Sequence, residues 1–223
     1  MGTTVVEAPT LGAGWLALTR RILEDGVDAR YDGEPVRELP LVTLVVASPR
    51  SDDAVVADLG DPEWLAWMRD NFTAEGTVDE LGGTASYASR LFDYAGSGLD
   101  QIAWVVERLR SDPESRSATV TTFQPLTDTS YIPCVSMLDF WRPDGAVELV
   151  VYAHSLDLGK KAYGNLVELA RLQERVSAGV GAPVGRLVLH VKSAHVYEPE
   201  QAPMARLLES SARAGGAAAA RRA

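Results

Sequence analysis

Residues 133–165 read PCVSMLDFWRPDGAVELVVYAHSLDLGKKAYGN. Two apolar runs rich in β-branched and aromatic residues flank Pro143-Asp144-Gly145. Proline presets a turn dihedral and glycine accepts a positive φ, so the stretch predicts an antiparallel hairpin. Just upstream, SATVTTFQ (117–124) predicts a neighbouring strand. Downstream, Tyr163 to Ser177 sets Leu166, Leu169, Ala170, Gln173 and Val176 on one face of a helix, and Gly185 to Tyr197 reads as a closing strand. Ile102, Val105, Val106 and Leu109 follow an i, i+3, i+4, i+7 stripe that predicts a helix over Leu99 to Arg110. Toward the N-terminus the pattern predicts a helix from Trp15 to Glu24, a polar turn carrying Arg30 and Gly33, and a buried strand from Leu39 to Ser48. A short helix capped by Asp61 with Pro62 at its first position comes next. EGTVDELGGTASYAS (75–89) reads as loop, and GGAAAARRA (215–223) as a frayed low-complexity tail. Helices mixed with adjacent antiparallel strands, without a repeat or proline-rich linker, predict an α+β fold. One domain is expected over residues 1–200, followed by a C-terminal helix and tail over 201–223.

The chain has 223 residues, 46% of them apolar, enough for a substantial core, which excludes disorder and a small stapled scaffold. Its 21 Lys and Arg against 31 Asp and Glu give a net charge of -10. That balance opposes non-specific binding to nucleic acid or anionic membrane and confines any phosphate site to a local cluster. No apolar stretch approaches the roughly 20 residues of a membrane span. The opening MGTTVVEAPTLGAGW lacks the basic start and apolar run of a secretion signal, so a soluble cytoplasmic protein is expected. A single cysteine, Cys134, cannot form an internal disulfide and fits a reducing compartment.

Cys134, directly after Pro133 in an apolar strand, reads either as a small buried hydrophobe or as a nucleophile. Arg116, in SDPESRS, reads as a solvated arginine or as an anion ligand on a loop. His154, Ser155 and Asp157 end one strand and Asn165 opens the next helix; capping and a polar site both suit such residues. His195 and Tyr197, two apart in a strand, leave the same face. A metal site is not indicated, because His190 and His195 point to opposite faces and there is no second cysteine. No phosphate-binding glycine loop of nucleoside-triphosphate or dinucleotide type is present.

Taken in order, DPESR (112–116), Pro133-Cys134, HSLD (154–157), Asn165 and HVY (195–197) resemble the thymidylate synthase superfamily, which includes pyrimidine-nucleotide hydroxymethylases. WLALTRRILEDG followed by Arg30 is similar to the family's opening helix and phosphate-binding loop. The resemblance implies a mixed or antiparallel sheet flanked by helices and a sheet-to-sheet homodimer. It implies that Cys134 adds to C6 of a pyrimidine nucleotide, making C5 nucleophilic toward the one-carbon unit of 5,10-methylene-tetrahydrofolate. Arg116 would reach the partner's substrate phosphate, which Arg30 and Ser155 also hold. Asn165 would read the base, His195 and Tyr197 would touch the sugar, Asp157 would border base and folate, and Tyr87 would lie near the catalytic centre.

The departures from the family pattern set further expectations. Ser117 stands where a second arginine is usual, and His154 replaces the arginine before Ser155. A protonated His154 would recover part of that charge; otherwise the nucleotide is held more weakly, or the substrate lacks that phosphate. Val135 replaces a usual histidine, Lys160 and Lys161 replace apolar positions, and the usual catalytic glutamate is matched only by position at Glu63 or Glu80. The 26 residues after Tyr197 carry no recognisable segment that seals folate from water, which tilts the expectation from methyl toward hydroxymethyl transfer. Reductive methylation, a non-catalytic nucleotide-binding homologue and a Cys134–His195–Asp157 hydrolase are the alternatives.

Overall fold

The structure is a computed structural model and describes residues 2–129 and 131–220. After β1 (Thr4–Ala8) comes α1 (Leu11–Asp25), started by the Thr10 side chain accepting from Ala13 N and buried along Leu11, Trp15, Leu18 and Ile22. β2 (Val27–Tyr31) and β3 (Glu34–Val46) form a hairpin, so the segment expected as a polar turn is mostly strand. Its turn is Asp32 (φ 51°) and Gly33 (φ 85°), both left-handed, and such two-residue turns match the twist of paired strands.

Next are α2 (Ala54–Leu59), capped by Asp53, and α3 (Pro62–Thr73), which begins at the expected Asp61 cap. The region expected as loop holds β4 (Thr77–Val78), a 3-10 turn at Asp79–Leu81, β5 (Thr84–Ala85) and the start of α4 (Tyr87–Phe92). These pieces are too short to show a period, which hides them from pattern reading. Then follow α5 (Gln101–Ser111), β6 (Thr119–Thr121), β7 (Val135–Trp141), β8 (Val147–Asp157), α6 (Ala162–Val180), β9 (Val184–Tyr197) and α7 (Glu198–Ala220). β6 keeps only three residues of its expected strand, because the Thr122 hydroxyl turns to the Val135 carbonyl and Gln124 N to Asp128. α7 remains helical to Ala220 rather than fraying at 215; residues 221–223 of the tail lie outside the described residues.

The main sheet runs β1-β3-β9-β8-β7-β6, with β2 beside β3. It is mixed: β1 is parallel to β3 and β8 to β9, while β9 is antiparallel to β3 and β7 to both its neighbours. Burial alternates along the central strands. Leu44, Leu189, Val151 and Leu138 are buried on the face beneath α1, α5 and α6. The opposite face is open, and its register aligns Val5, Thr43, His190, Tyr152, Met137 and Thr121 in one row across the strands. Between Val135 and Met137 the β7–β8 register shifts by one residue, a bulge at Ser136. No described helix is long and apolar enough to cross a membrane.

A buried clamp holds the chain that leads into β7. Arg90, 1% exposed, donates to Thr122 O at 2.7 Å and Ala85 O at 2.9 Å, and forks onto both Asp128 oxygens at 2.7 and 2.8 Å. Burial alone would raise the Asp128 carboxyl; the guanidinium overrides it and leaves it below the ordinary range. Arg90→Met strands Asp128 without its cation and is expected to cost about 3 kcal/mol or more in urea unfolding. Adding Asp128→Leu should return part of that loss.

Candidate active site

β8 organises the site because it pairs with both β7 and β9. His154 N donates to Cys134 O at 3.0 Å, and Ser155 Oγ donates to Cys134 Sγ at 3.2 Å. Cys134 lines a cavity of about 340 Å³ whose wall also includes Asp157, Lys161 and Asn165. Behind it, Val135 N donates to the Tyr87 hydroxyl at 3.0 Å. Tyr87 is itself fixed by donating its N–H to Asn71 Oδ1 at 2.8 Å and by stacking on Phe72 at 4.4 Å. Tyr87 therefore props the backbone beside the cysteine and does not line the cavity.

The alternatives at each residue resolve in different ways. Asp157 both caps and lines: its Oδ1 accepts from Gly159 N at 3.0 Å and Lys160 N at 3.3 Å while the residue borders the cavity. Asn165 is 4% exposed and its Oδ1 has no partner. His195, 1% exposed, also leaves Nε2 unpartnered, and burial holds its imidazole down to about 4, so it is neutral at pH 7. Unpartnered polar atoms in a cavity wall are costly unless a ligand or water satisfies them. His195 and Tyr197 share this wall, ring edge to face at 5.1 Å.

Arg30 does not reach the cavity; its guanidinium donates to Gly33 O at 2.7 Å. Arg116 is exposed on the loop before β6, outside this chain's own cavity. Glu63 and Glu80 are exposed and do not line it either; its carboxylates are Asp157 and Asp32. Pattern reading missed Tyr31, Asp32 and Tyr131. The Asp32-Gly33 pair, a strong hairpin signal, could have placed the first two at a strand tip. Lys160 is held by Glu200 at 2.6 Å, whereas Lys161 lines the cavity with its ammonium 5.9 and 5.5 Å from the Trp64 and Trp67 rings.

Burial pushes the Cys134 thiol up; the Ser155 hydroxyl, the Lys161 ammonium and a Tyr131 contact pull it down, while Asp157 adds to the rise. Burial also raises the Asp157 carboxyl, against its backbone donors and Lys161. Among the described residues no imidazole nitrogen bonds the thiol, which is not the pairing a cysteine hydrolase uses. The arrangement suits a thiolate attacking an electrophilic carbon of a flat, hydrogen-bonding ligand.

The family model for thymidylate synthase matches residues 49–217. The chain belongs to the thymidylate synthase family. A protein of Methanothermobacter thermautotrophicus named "Putative thymidylate synthase" is 30% identical over 208 residues, covering 86% of this chain and 93% of that protein. One of the same name from Methanosarcina acetivorans is 32% identical over 202 residues, covering 87% and 89%. The deoxyuridylate hydroxymethyltransferase of Bacillus phage SP01 is 33% identical over 105 residues, 44% of this chain and 27% of that one. Family membership indicates a transferase that moves a one-carbon unit to C5 of a pyrimidine.

The thiol environment is tested by iodoacetamide alkylation across pH, whose rate follows the thiolate fraction. The midpoint should lie above the ordinary thiol value. Lys161→Met should move it further up and Asp157→Asn down; the reverse order would contradict these electrostatics.

Proposed function

We propose that this protein transfers a one-carbon unit from 5,10-methylene-tetrahydrofolate to C5 of a pyrimidine nucleotide, UMP or CMP or a deoxy form. The observation that supports this best is a lone thiol lining a cavity and accepting a hydroxyl hydrogen bond, with the unpartnered Oδ1 of Asn165 in the same wall. C5 of uracil or cytosine is a weak nucleophile. When the Cys134 thiolate bonds to C6, electron density passes to C5, which bonds to the donor's one-carbon unit; C5 then loses its proton and the carbon–nitrogen bond to the folate breaks, releasing tetrahydrofolate and leaving an exocyclic methylene. Asn165 offers one amide face to the base and, turned over, the complementary face, so it suits either pyrimidine.

Hydroxymethyl is the product this reading favours. Asp157, with a carboxyl raised by burial, and the ammonium of Lys161 border the same cavity and can hold and deprotonate a water. The water oxygen bonds to the exocyclic carbon, one of its protons leaves, and the Cys134–C6 bond breaks to restore the thiolate. Methyl transfer would instead need hydride delivery to that carbon with water excluded.

Release of tritium from C5-labelled UMP, dUMP, CMP and dCMP in the presence of the folate donor is the direct test. At least one should release label, Cys134→Ser should release none, and His195→Ala should slow release by weakened positioning. No release from any nucleotide would falsify the reading. Product mass separates an added CH2 from an added CH2O, and a hydrolase would instead be trapped by an acyl substrate.

We further propose a homodimer through the open sheet face, with Arg116 reaching the partner's cavity. Supporting it, Val5, Met137 and Tyr152 are 56%, 39% and 40% exposed on that face. Sedimentation should give a dimer, and Met137→Lys with Tyr152→Lys should shift it to monomer.

A further inference from the structure

Asp157, which borders the cavity, opens a short turn into α6 that three other elements hold in place. From β9, His195 O accepts from Leu158 N at 2.8 Å; from α1, the Trp15 indole donates to Leu158 O at 2.9 Å. From α7, the Glu200 carboxylate meets the Lys160 ammonium at 2.6 Å. The first two contacts fix the backbone of the turn. The third sets a charge beside it.

Glu200 lies against this turn because residue 159 is glycine. A Cβ there would stand 2.8 Å from Glu200 Cβ and 3.0 Å from its Cγ, a clash, and 3.4 Å from Asp157 Oδ1, so the two acidic residues flank one glycine. Glu200 is in the first turn of α7, where free backbone N–H groups favour an anion. The helix is seated by buried Leu208 and by Met204 and Leu207 packed on the core. Glu200 Oε1 takes the lysine, while Oε2 is buried and has no partner among the described residues. A carboxylate oxygen placed there acts on its neighbours with little solvent screening. The titratable groups facing Asp157 are Cys134 just before β7, His195 and Tyr197 on β9, Lys161 and Tyr163 at the start of α6, and Glu200. Asp32, at the β2–β3 turn, lines the same cavity. Burial raises the Asp157 carboxyl most; the Gly159 and Lys160 backbone N–H groups and the Lys161 ammonium lower it, and Glu200 adds to the rise.

We infer that Glu200 is a positioning residue for carbon transfer: held by Lys160 and seated on Gly159, it fixes the turn that presents Asp157 to the cavity and supplies the negative charge that Asp157 works against. This rests on the proposed reading in which Asp157 and Lys161 hold and deprotonate a water. Glu200 does not line the cavity, so it acts through Asp157 and not on the ligand. A base must keep the proton it takes from water, and a fixed anion beside it strengthens that hold. The adjacent lysines then have separate duties, Lys160 tempering Glu200 and Lys161 facing the cavity.

Carboxyl carbon-13 NMR of full-length protein labelled at aspartate reads the protonation of Asp157 without turnover, its resonance identified by loss in Asp157→Asn. Glu200→Gln keeps an oxygen for Lys160 but removes the charge, so the proton affinity of Asp157 should fall about threefold or more. Lys160→Met leaves the Glu200 charge untempered and should raise it, and Glu200→Asp should stay near wild type. The acidic limb of the pH profile for product formation should move with the NMR midpoint in each variant. A turn merely loosened by these changes would lose the backbone donors to Asp157 and raise the midpoint in both Glu200→Gln and Lys160→Met. Midpoints that both rise, or that do not move, overturn the role of Glu200 even where carbon transfer is intact. Midpoints that move oppositely in a wild-type background that transfers no carbon overturn the proposed activity, while the coupling of Glu200 to Asp157 stands.

Discussion

The hydrogen bond from Ser155 to the Cys134 sulfur depends on β8 having two different neighbours. Antiparallel pairing with β7 brings the cysteine backbone against His154, and parallel pairing with β9 brings Ser193 and His195 level with Ser155 and Asp157. Residues far apart in the chain meet because a single strand is shared by both ladders. The thiol environment is then a product of sheet register rather than of a local motif, and the helices on one face keep that register by burying alternate residues.

The charges near the sulfur act against each other. Burial favours the thiol, Ser155 and Lys161 favour the thiolate, and Asp157 returns part of that gain. A nucleophile held largely protonated is protected from adventitious alkylation, and it becomes reactive when a ligand's own hydrogen bonds and charge complete the site. The neutral state of His195 fits this arrangement, since a buried imidazolium in the same wall would demand a counter-ion.

Much of the fold was legible wherever one physical signal dominated. Pro143-Asp144-Gly145 could hardly do other than turn, the stripe through Ile102 and Leu109 could face only one core, and the parity of His195 and Tyr197 placed both on one wall. β1, β4 and β5 were illegible because two to five residues hold no period and form only against partners elsewhere. The cysteine, serine, aspartate, asparagine and histidine of the site were legible as a series with characteristic spacing. Tyr31 was not, because its place at the cavity comes from a hairpin tip packing on residues more than a hundred positions away. Lys161 was ambiguous for a similar reason: Trp64 and Trp67, brought over by α3, meet its ammonium from far back in the chain, which no local pattern shows.

The bulge at Ser136 has a bearing on how this site tolerates change in chain length. Side chains on a strand alternate between faces, and the extra residue lets Val135 share the core face of Leu138 and Phe140 although its position has the other parity. Removing Ser136 would leave Val135 opposite Ala153 and Met137 opposite Tyr152 in a regular ladder, so the local bend would go while the thiol kept its side of the sheet. That short segment is therefore a place where the chain can lose a residue without turning the nucleophile over.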